Sequence, residues 1–142
     1  MAISGSRRKA PLVLLVEDCA EIADLFGQAL ADGGFLVRPV STLADAEAIV
    51  ASGTKPDIVV MDRDLPDGDG FSLAARWAAS ADAAGGRSVP VIGFTASPVH
   101  EALEAAERAG MVGFVAKPCP PGKLVDLVRL LLRPGHHALA AC

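Results

Sequence analysis

The chain has 142 residues, of which 51% are hydrophobic and 21% charged, and its net charge is −4 at pH 7. This length and balance predict a single soluble globular domain and exclude a disordered chain. The weak negative charge, without a clustered basic stripe, argues against a nucleic-acid surface. Three cysteines make an odd and sparse set, so we expect no disulfide scaffold and a reducing, cytoplasmic compartment.

The termini carry no signal for export or for a membrane. A basic segment precedes the apolar run 11–16, but Glu17 and Asp18 end that run before it is long enough for a signal peptide. No stretch approaches the roughly 18 uncharged apolar residues of a membrane helix. We predict a disordered arm over residues 1–10, a folded domain over residues 11–133 and a short tail over residues 134–142.

Apolar runs alternate with segments of helical periodicity along the folded part. Buried strands are predicted over residues 12–16, 35–40, 58–61, 89–94 and 112–116, and helices over residues 19–32, 42–53, 70–81, 98–109 and 120–132. Thr42 and Asp45 resemble a capping box at the start of the second helix. Strict βα alternation predicts a doubly wound α/β fold, with a parallel sheet, helices on both faces and right-handed crossovers.

Residues capable of chemistry follow four of the five predicted strands. They are Glu17 and Asp18 after the first strand, Asp62 after the third, Thr95 after the fourth and Lys117 after the fifth. In a parallel sheet the carboxyl ends of the strands lie along one edge, where open α/β sheets bind their ligands. We therefore expect these five side chains to converge.

Such a cluster is suited to phosphoryl transfer. Three crowded carboxylates raise one another's pKa unless a cation intervenes, and hard oxygen ligands favour Mg²⁺ over zinc. Asp62 would be the nucleophile that becomes an aspartyl phosphate, and Glu17 and Asp18 would hold the metal. Lys117 would neutralise one phosphoryl oxygen, and Thr95 would donate a hydrogen bond to another.

Between about residues 12 and 132 the chain resembles the receiver domains of two-component response regulators. The motifs that carry the resemblance are Glu17-Asp18, the segment 62–70 with Leu65-Pro66 and Asp69-Gly70, Thr95-Ala96, and Lys117-Pro118. Together they are highly specific, whereas any one alone would be weak. A regulator that stands alone and a receiver cut from a hybrid sensor histidine kinase are both consistent with them.

The resemblance implies a flavodoxin-like (βα)5 fold with strand order 2-1-3-4-5. It implies phosphorylation of Asp62 by a histidine kinase or a histidine phosphotransfer protein, with Mg²⁺ or Mn²⁺ as the cofactor. The implied metal ligands are Glu17, Asp18, Asp62 and the backbone carbonyl of Asp64. The chain would thus be a signalling switch and not an enzyme, although it would take phosphate from small donors and hydrolyse its own phosphoryl group.

The resemblance also implies how the switch moves and how its lifetime is set. Thr95 and Phe114 would move together on phosphorylation and reshape the face of the fourth helix, fifth strand and fifth helix, which would bind an unknown downstream protein. Phe114 stands where a tyrosine is frequent. Arg63, Asp64 and Ser97 occupy neighbouring positions that tune the survival of the phosphoryl group. The Lys117–Pro118 bond would be cis, which proline makes feasible.

Two other functions compete with this interpretation. Asp62, Thr95 and Lys117 also follow the order of a haloacid-dehalogenase-like phosphatase, but Pro66 stands where that family has Thr or Val. The acidic pair also precedes the nucleophile, and no cap insertion is present. A pseudo-receiver that only binds partners is disfavoured, because all the acceptor-site residues are present.

The last predicted helix has an apolar arc wider than one core contact requires. Val125, Leu130 and Leu132 flank the core positions, so the arc predicts either a homodimer through this helix or a deeply seated helix. No partner among nucleic acids or membranes is expected. Asp57, Asp67 and Asp69 are predicted to be turn and cap residues and not metal ligands.

Overall fold

A computed structural model describes residues 10–96, 99–133 and 140–141 of the chain. The arm predicted over residues 1–10 lies, apart from Ala10, outside these described residues, as does most of the predicted tail. Among the described helices none is long and apolar enough to cross a membrane.

The five longer strands of the main sheet are β1 (Leu12–Val16), β2 (Leu36–Val40), β3 (Ile58–Asp62), β4 (Val91–Thr95) and β5 (Gly113–Ala116). They are parallel and lie in the order β2-β1-β3-β4-β5, and a short sixth strand continues the sheet beside β5. The helices between them are α1 (Ala20–Asp32), α2 (Leu43–Ala51), α3 (Gly70–Ala83), α4 (Val99–Arg108) and α5 (Pro121–Leu131). The doubly wound α/β fold and its strand order are confirmed.

Two short features of the structure were not predicted. Asp64–Leu65 pairs antiparallel with Gly68–Asp69, so the acidic loop after β3 is a small hairpin. Ala140–Ala141 forms a strand, β6, that pairs in parallel with Gly113 and Phe114 of β5. Each of these strands has two residues, which is too short to produce a periodic pattern in the sequence.

The sheet separates two apolar clusters. Alternate residues of a strand point to opposite faces, so Leu14 and Val16 lie in one cluster while Val13 and Leu15 lie in the other. Residues of α2, α3 and α4 cover the first cluster, and residues of α1 and α5 cover the second. Burial on both faces explains why β1 and β3 are continuous apolar runs and do not alternate with polar residues.

Helix α5 is seated against α1. Val125 is buried, and a methyl group added to Gly33 would lie 2.8 Å from its Cγ1 atom. The Arg129 guanidinium donates to the Gly33 carbonyl at 2.9 Å. Leu130 and Leu132 are half-buried against the second cluster. Much of the apolar arc of this helix is therefore used inside the domain.

A cavity of about 480 Å³ lies at the amino-terminal edge of the sheet, between α2 and α3. Trp77, Val50 and Val89 contribute to its apolar lining, and Lys55 and Arg87 to its charged lining. The residues that precede β3 and β4 form part of this lining, so the cavity lies at the opposite edge from Asp62.

Candidate functional site

The carboxyl ends of the strands bring the predicted residues to one edge. Asp62 and Thr95 are the last residues of β3 and β4, and Glu17 directly follows β1. These three residues are 5%, 0% and 3% exposed, respectively, so two carboxyl groups and a hydroxyl group are buried here among apolar strands. Asp18, one residue further along, is exposed and lines a cleft of about 320 Å³ that opens at the same edge.

Lys117 joins the two buried carboxylates. Its Nζ atom lies 2.5 Å from Oε1 of Glu17 and 3.4 Å from Oδ1 of Asp62. The second oxygen of Glu17 accepts a hydrogen bond from the Cys19 amide at 3.0 Å. The Lys117 amide donates to the Thr95 carbonyl at 2.8 Å, and the Lys117–Pro118 bond is cis, as expected. These contacts hold the ammonium group over the end of β3.

The Lys117 ammonium group lies over the ring of Phe94. Phe94 was not predicted from the sequence to be part of the site. The ammonium nitrogen lies 4.5 Å from the centroid of the Phe94 ring, within the range of a cation–π contact. The ring is fully buried and meets Phe26 of α1 edge to face, with 4.8 Å between centroids. The only sequence signal was the position of Phe94 beside Thr95 in a buried strand.

Three carboxylates can reach one cation. Glu17, Asp18 and Asp62 each offer an oxygen, and these oxygens lie within 4.8 Å of one another. Lys117 alone does not balance their charge, so the cluster keeps a deficit of positive charge when all three are ionised. Hard oxygen donors with exposed Asp18 at the rim fit a small divalent cation that keeps some of its water.

The environment of Asp62 favours its neutral form. Burial raises the pKa of its carboxyl group to about 7 from an ordinary value of 3.8, and the nearby charge of Glu17 acts in the same direction. The ammonium group of Lys117 lowers the same pKa but does not cancel the cost of burial. A cation at this edge would favour the ionised, nucleophilic form.

The structure describes some of the remaining predicted residues. Asp64 is exposed and its backbone pairs with Asp69 in the hairpin. Phe114 is buried in β5. Ser97 lies outside the described residues.

Arg63 makes its contacts with α3 and α4. Its guanidinium lies 3.8 Å from both Asp69 and Glu101, and 5.3 Å above the ring of Phe71. The loop after β3 is thereby connected to the first turn of α4, a link between distant segments that the sequence did not indicate.

Of the three aspartates predicted to be turn and cap residues, Asp69 is confirmed as a local cap, whereas Asp57 and Asp67 accept from amides of distant segments. Asp57 accepts from the Leu12 amide at 2.7 Å, and Asp69 caps α3 by accepting from the Phe71 amide at 2.8 Å. Asp67 also acts as a cap, but for α2, a helix that precedes it in the chain.

A comparison with protein-family models agrees with this arrangement. The model described as the response regulator receiver domain matches residues 13–129. The chain belongs to this family. The matching family is the receiver domain and not the haloacid-dehalogenase family of the competing interpretation.

Several known proteins are similar to this receiver domain. The swarming motility regulation protein RssB of Serratia marcescens is 34% identical over 121 residues, which are 85% of this chain and 52% of RssB. The KDP operon transcriptional regulatory protein KdpE of Escherichia coli is 33% identical over 124 residues, 85% of this chain and 51% of KdpE. The receiver domain thus spans about half the length of these two relatives.

The fold also agrees with solved structures. A CheY-like response regulator receiver domain protein from Methanospirillum hungatei superposes with a TM-score of 0.73 at 24% identity, covering 87% of this chain and 94% of that one. At this identity the likeness concerns the fold alone.

Proposed function

We propose that this receiver domain is a phosphorylation-activated switch in a two-component phosphorelay, with Asp62 as the acceptor. The observation that carries the proposal is the meeting of Asp62, two further carboxylates and Lys117 at one edge of the sheet. A structural ion pair alone would not require a third carboxylate at the rim. Membership of the receiver family supports the same conclusion.

The transfer needs positioning and charge more than covalent machinery. An ionised Asp62 oxygen attacks the phosphorus of a phosphohistidine or of a small acyl phosphate, and forms a new P–O bond. The P–N or P–O bond to the donor breaks, and the leaving group keeps the electron pair. Lys117 is placed to offset charge on a phosphoryl oxygen, and the Thr95 hydroxyl is expected to donate to another.

Glu17, Asp18 and Asp62, together with the backbone carbonyl of Asp64, would hold Mg²⁺ or Mn²⁺. When bound, the metal would offset the charge shared by the carboxylates and the incoming phosphoryl group. The fit rests on the donor set, because these are hard oxygen ligands with too little positive charge among them.

The proposed donor is a histidine kinase or a histidine phosphotransfer protein in the cytoplasm. The proposed response is a change at the face of α4, β5 and α5, through Thr95 and Phe114, that alters binding of a downstream protein. KdpE is a transcriptional regulatory protein by name. In KdpE about half of the protein lies outside the matched region, so we assign no nucleic-acid contact to this domain.

The test is incubation with acetyl phosphate and Mg²⁺, followed by measurement of the intact mass, beside an Asp62→Asn control. A single phosphoryl adduct that requires Mg²⁺ and is absent from the control is the expected result. An unconsumed donor with no adduct would contradict the proposal and favour a binding module that carries no phosphate. Steady turnover of an unrelated phosphomonoester would instead revive a phosphatase activity.

A further inference from the structure

The hairpin that follows the acceptor strand reaches back to the start of α2. The two carboxylate oxygens of Asp67, at the tip of this hairpin, accept separate hydrogen bonds. Oδ1 accepts from the Leu43 amide at 2.9 Å, and Oδ2 accepts from the Ala44 amide at 3.0 Å. Asp67 is 24 positions from Leu43 and 23 from Ala44 in the sequence. The contact therefore joins the segment after β3 to the segment that enters α2.

Helix α2 cannot satisfy these amides by itself. The first amides of an α-helix have no partner within the helix. The Thr42 hydroxyl, the local cap, accepts from the Asp45 amide at 3.1 Å and leaves the two preceding amides to Asp67. The helix N-terminus carries a partial positive charge that favours a carboxylate, and the hydrogen bonds from α2 lower the pKa of Asp67.

The hairpin connects Asp67 to the backbone that directly follows Asp62. Asp64 pairs with Asp69 and Leu65 with Gly68, so the tip and the base form one small ladder. At its base the Gly70 amide donates to the Arg63 carbonyl at 2.8 Å.

At the tip, Gly68 lies close to Leu43. A side-chain carbon at Gly68 would lie 3.1 Å from a methyl group of Leu43, and the φ of 144° at Gly68 also favours glycine. Tip and helix are therefore packed together as well as hydrogen-bonded.

We propose that Asp67 is a positioning residue for the cation site: by fixing the hairpin to α2, it holds the Asp64 carbonyl and the Asp62 carboxylate at the spacing that the cation requires. The inference rests on the proposed function for the identity of the site. By linkage, a cation that is bound more tightly when the contact is made must strengthen that contact by the same factor.

The chain offers a matched control for this role. Asp67→Ala removes both the cap of α2 and its connection to the hairpin, whereas Thr42→Ala removes a cap of the same helix and leaves the connection intact. The affinity for Mn²⁺, measured by electron paramagnetic resonance of the free ion, should fall about tenfold or more in Asp67→Ala, as is typical of residues that orient metal ligands. It should change less than about twofold in Thr42→Ala. Asp67→Asn keeps one acceptor oxygen and should recover part of the affinity.

Amide hydrogen exchange gives a second readout. Mg²⁺ should slow exchange at Leu43 and Ala44 in the wild-type chain and in Thr42→Ala, but not in Asp67→Ala. Equal loss of Mn²⁺ affinity in Asp67→Ala and Thr42→Ala would mean that only helix capping matters, and would overturn the inference. Unchanged affinity in Asp67→Ala would also overturn it.

The outcomes separate this inference from the proposed function. If Asp67→Ala binds Mn²⁺ as the wild type does while the wild type is phosphorylated on Asp62, the inference alone is wrong. If the affinity depends on Asp67 but no phosphoryl adduct forms, the proposed function is wrong and the positioning role stands. A wild-type chain that binds no Mn²⁺ would contradict both.

Discussion

The ammonium group of Lys117 is shared by two buried carboxylates, and this sharing determines how the site responds to pH. Glu17 holds the shorter contact, at 2.5 Å against 3.4 Å for Asp62. Asp62 therefore makes the weaker contact with the Lys117 ammonium group. The effect of burial, which raises the pKa of Asp62, exceeds the opposing effect of Lys117, and the pKa is raised to about 7. Without a cation, a substantial fraction of Asp62 keeps its proton at neutral pH.

This raised pKa predicts a pH-dependent stability. Between the ordinary value of 3.8 and about 7, folded Asp62 holds a proton that the unfolded chain has lost. The free energy of unfolding should therefore fall as the pH rises through this window and then level off. Asp62→Asn should remove this component, so its stability relative to the wild type should increase by about 2 kcal/mol between pH 5 and pH 8.

Urea denaturation at several pH values, without divalent cations, measures this difference. Comparison with Asp62→Asn cancels the contributions of other groups that titrate in the same range. If the free energies of unfolding of the two chains change with pH in the same way, the prediction that Asp62 binds a proton in the folded state over this range is wrong.

Asp64 provides a prediction about the lifetime of the phosphorylated form. Its carboxylate is exposed two residues beyond Asp62, and in the proposed switch it would orient a water molecule towards the aspartyl phosphate. We expect Asp64→Asn to change the rate of dephosphorylation several-fold, as recorded by the decay of the phosphoryl adduct. An unchanged decay curve would remove Asp64 from the hydrolytic step.

At the scale of elements, the junction between β3 and α3 permits very little space. A Cβ atom at Gly70, the first residue of α3, would lie 2.0 Å from the Asp62 carbonyl oxygen and 2.8 Å from Cγ of Met61. The end of the acceptor strand would have to move, because a backbone atom cannot rotate away. Glycine is required here by close approach and not by an unusual φ angle.

Gly70→Ala should therefore destabilise the domain by about 2 kcal/mol or more, even though alanine is the better helix former. Gly122→Ala is the matched control in the first turn of α5, where an added Cβ would meet nothing within 4 Å. That control should be neutral or up to about 1 kcal/mol more stable. Thermal or urea unfolding of both variants checks the contrast, and equal effects would contradict it.

The elements also show which parts of the site the sequence could predict. Glu17, Asp62, Thr95 and Lys117 were predictable because position at the end of a strand fixes position along the edge of a parallel sheet. The contact between Asp67 and α2 was not, because a cap supplied from 23 residues away leaves no local pattern.

Side-chain packing shows the same limit. The ring of Phe94 beneath Lys117 depends on how the β4 strand faces α1, which composition and spacing do not specify.

For the whole molecule, the seating of α5 determines the expected oligomeric state. Val125 is buried against α1, and Leu130 and Leu132 pack on the second cluster, so little of the apolar arc remains for a partner. A stable homodimer interface usually needs a larger apolar surface. Of the two interpretations of the arc, the deeply seated helix is the one favoured by these contacts.

We accordingly expect the chain to be monomeric with and without phosphorylation. Light scattering at increasing concentration should give the mass of one chain, both before and after treatment with acetyl phosphate and Mg²⁺. A mass that doubles only after treatment would instead support self-association through the last helix as part of the switch.

The overall fold was predictable because strands and helices alternate regularly over the whole domain. The shortest strands could not be predicted from the sequence. The hairpin and β6 have two residues in each strand, and their pairing depends on the neighbours that the completed sheet provides. The tertiary structure therefore determines where these two-residue strands form, and the local sequence does not.

The cavity at the amino-terminal edge of the sheet has a consequence for spectroscopy. It contains Trp77, the one tryptophan of the sequence, at the far end of strands that are on the order of 15 Å long. We therefore expect the indole emission to report the packing of α2 against α3 and to respond little to charge changes around Asp62. Intrinsic fluorescence can follow unfolding with the same baseline whether or not the opposite edge carries a phosphoryl group.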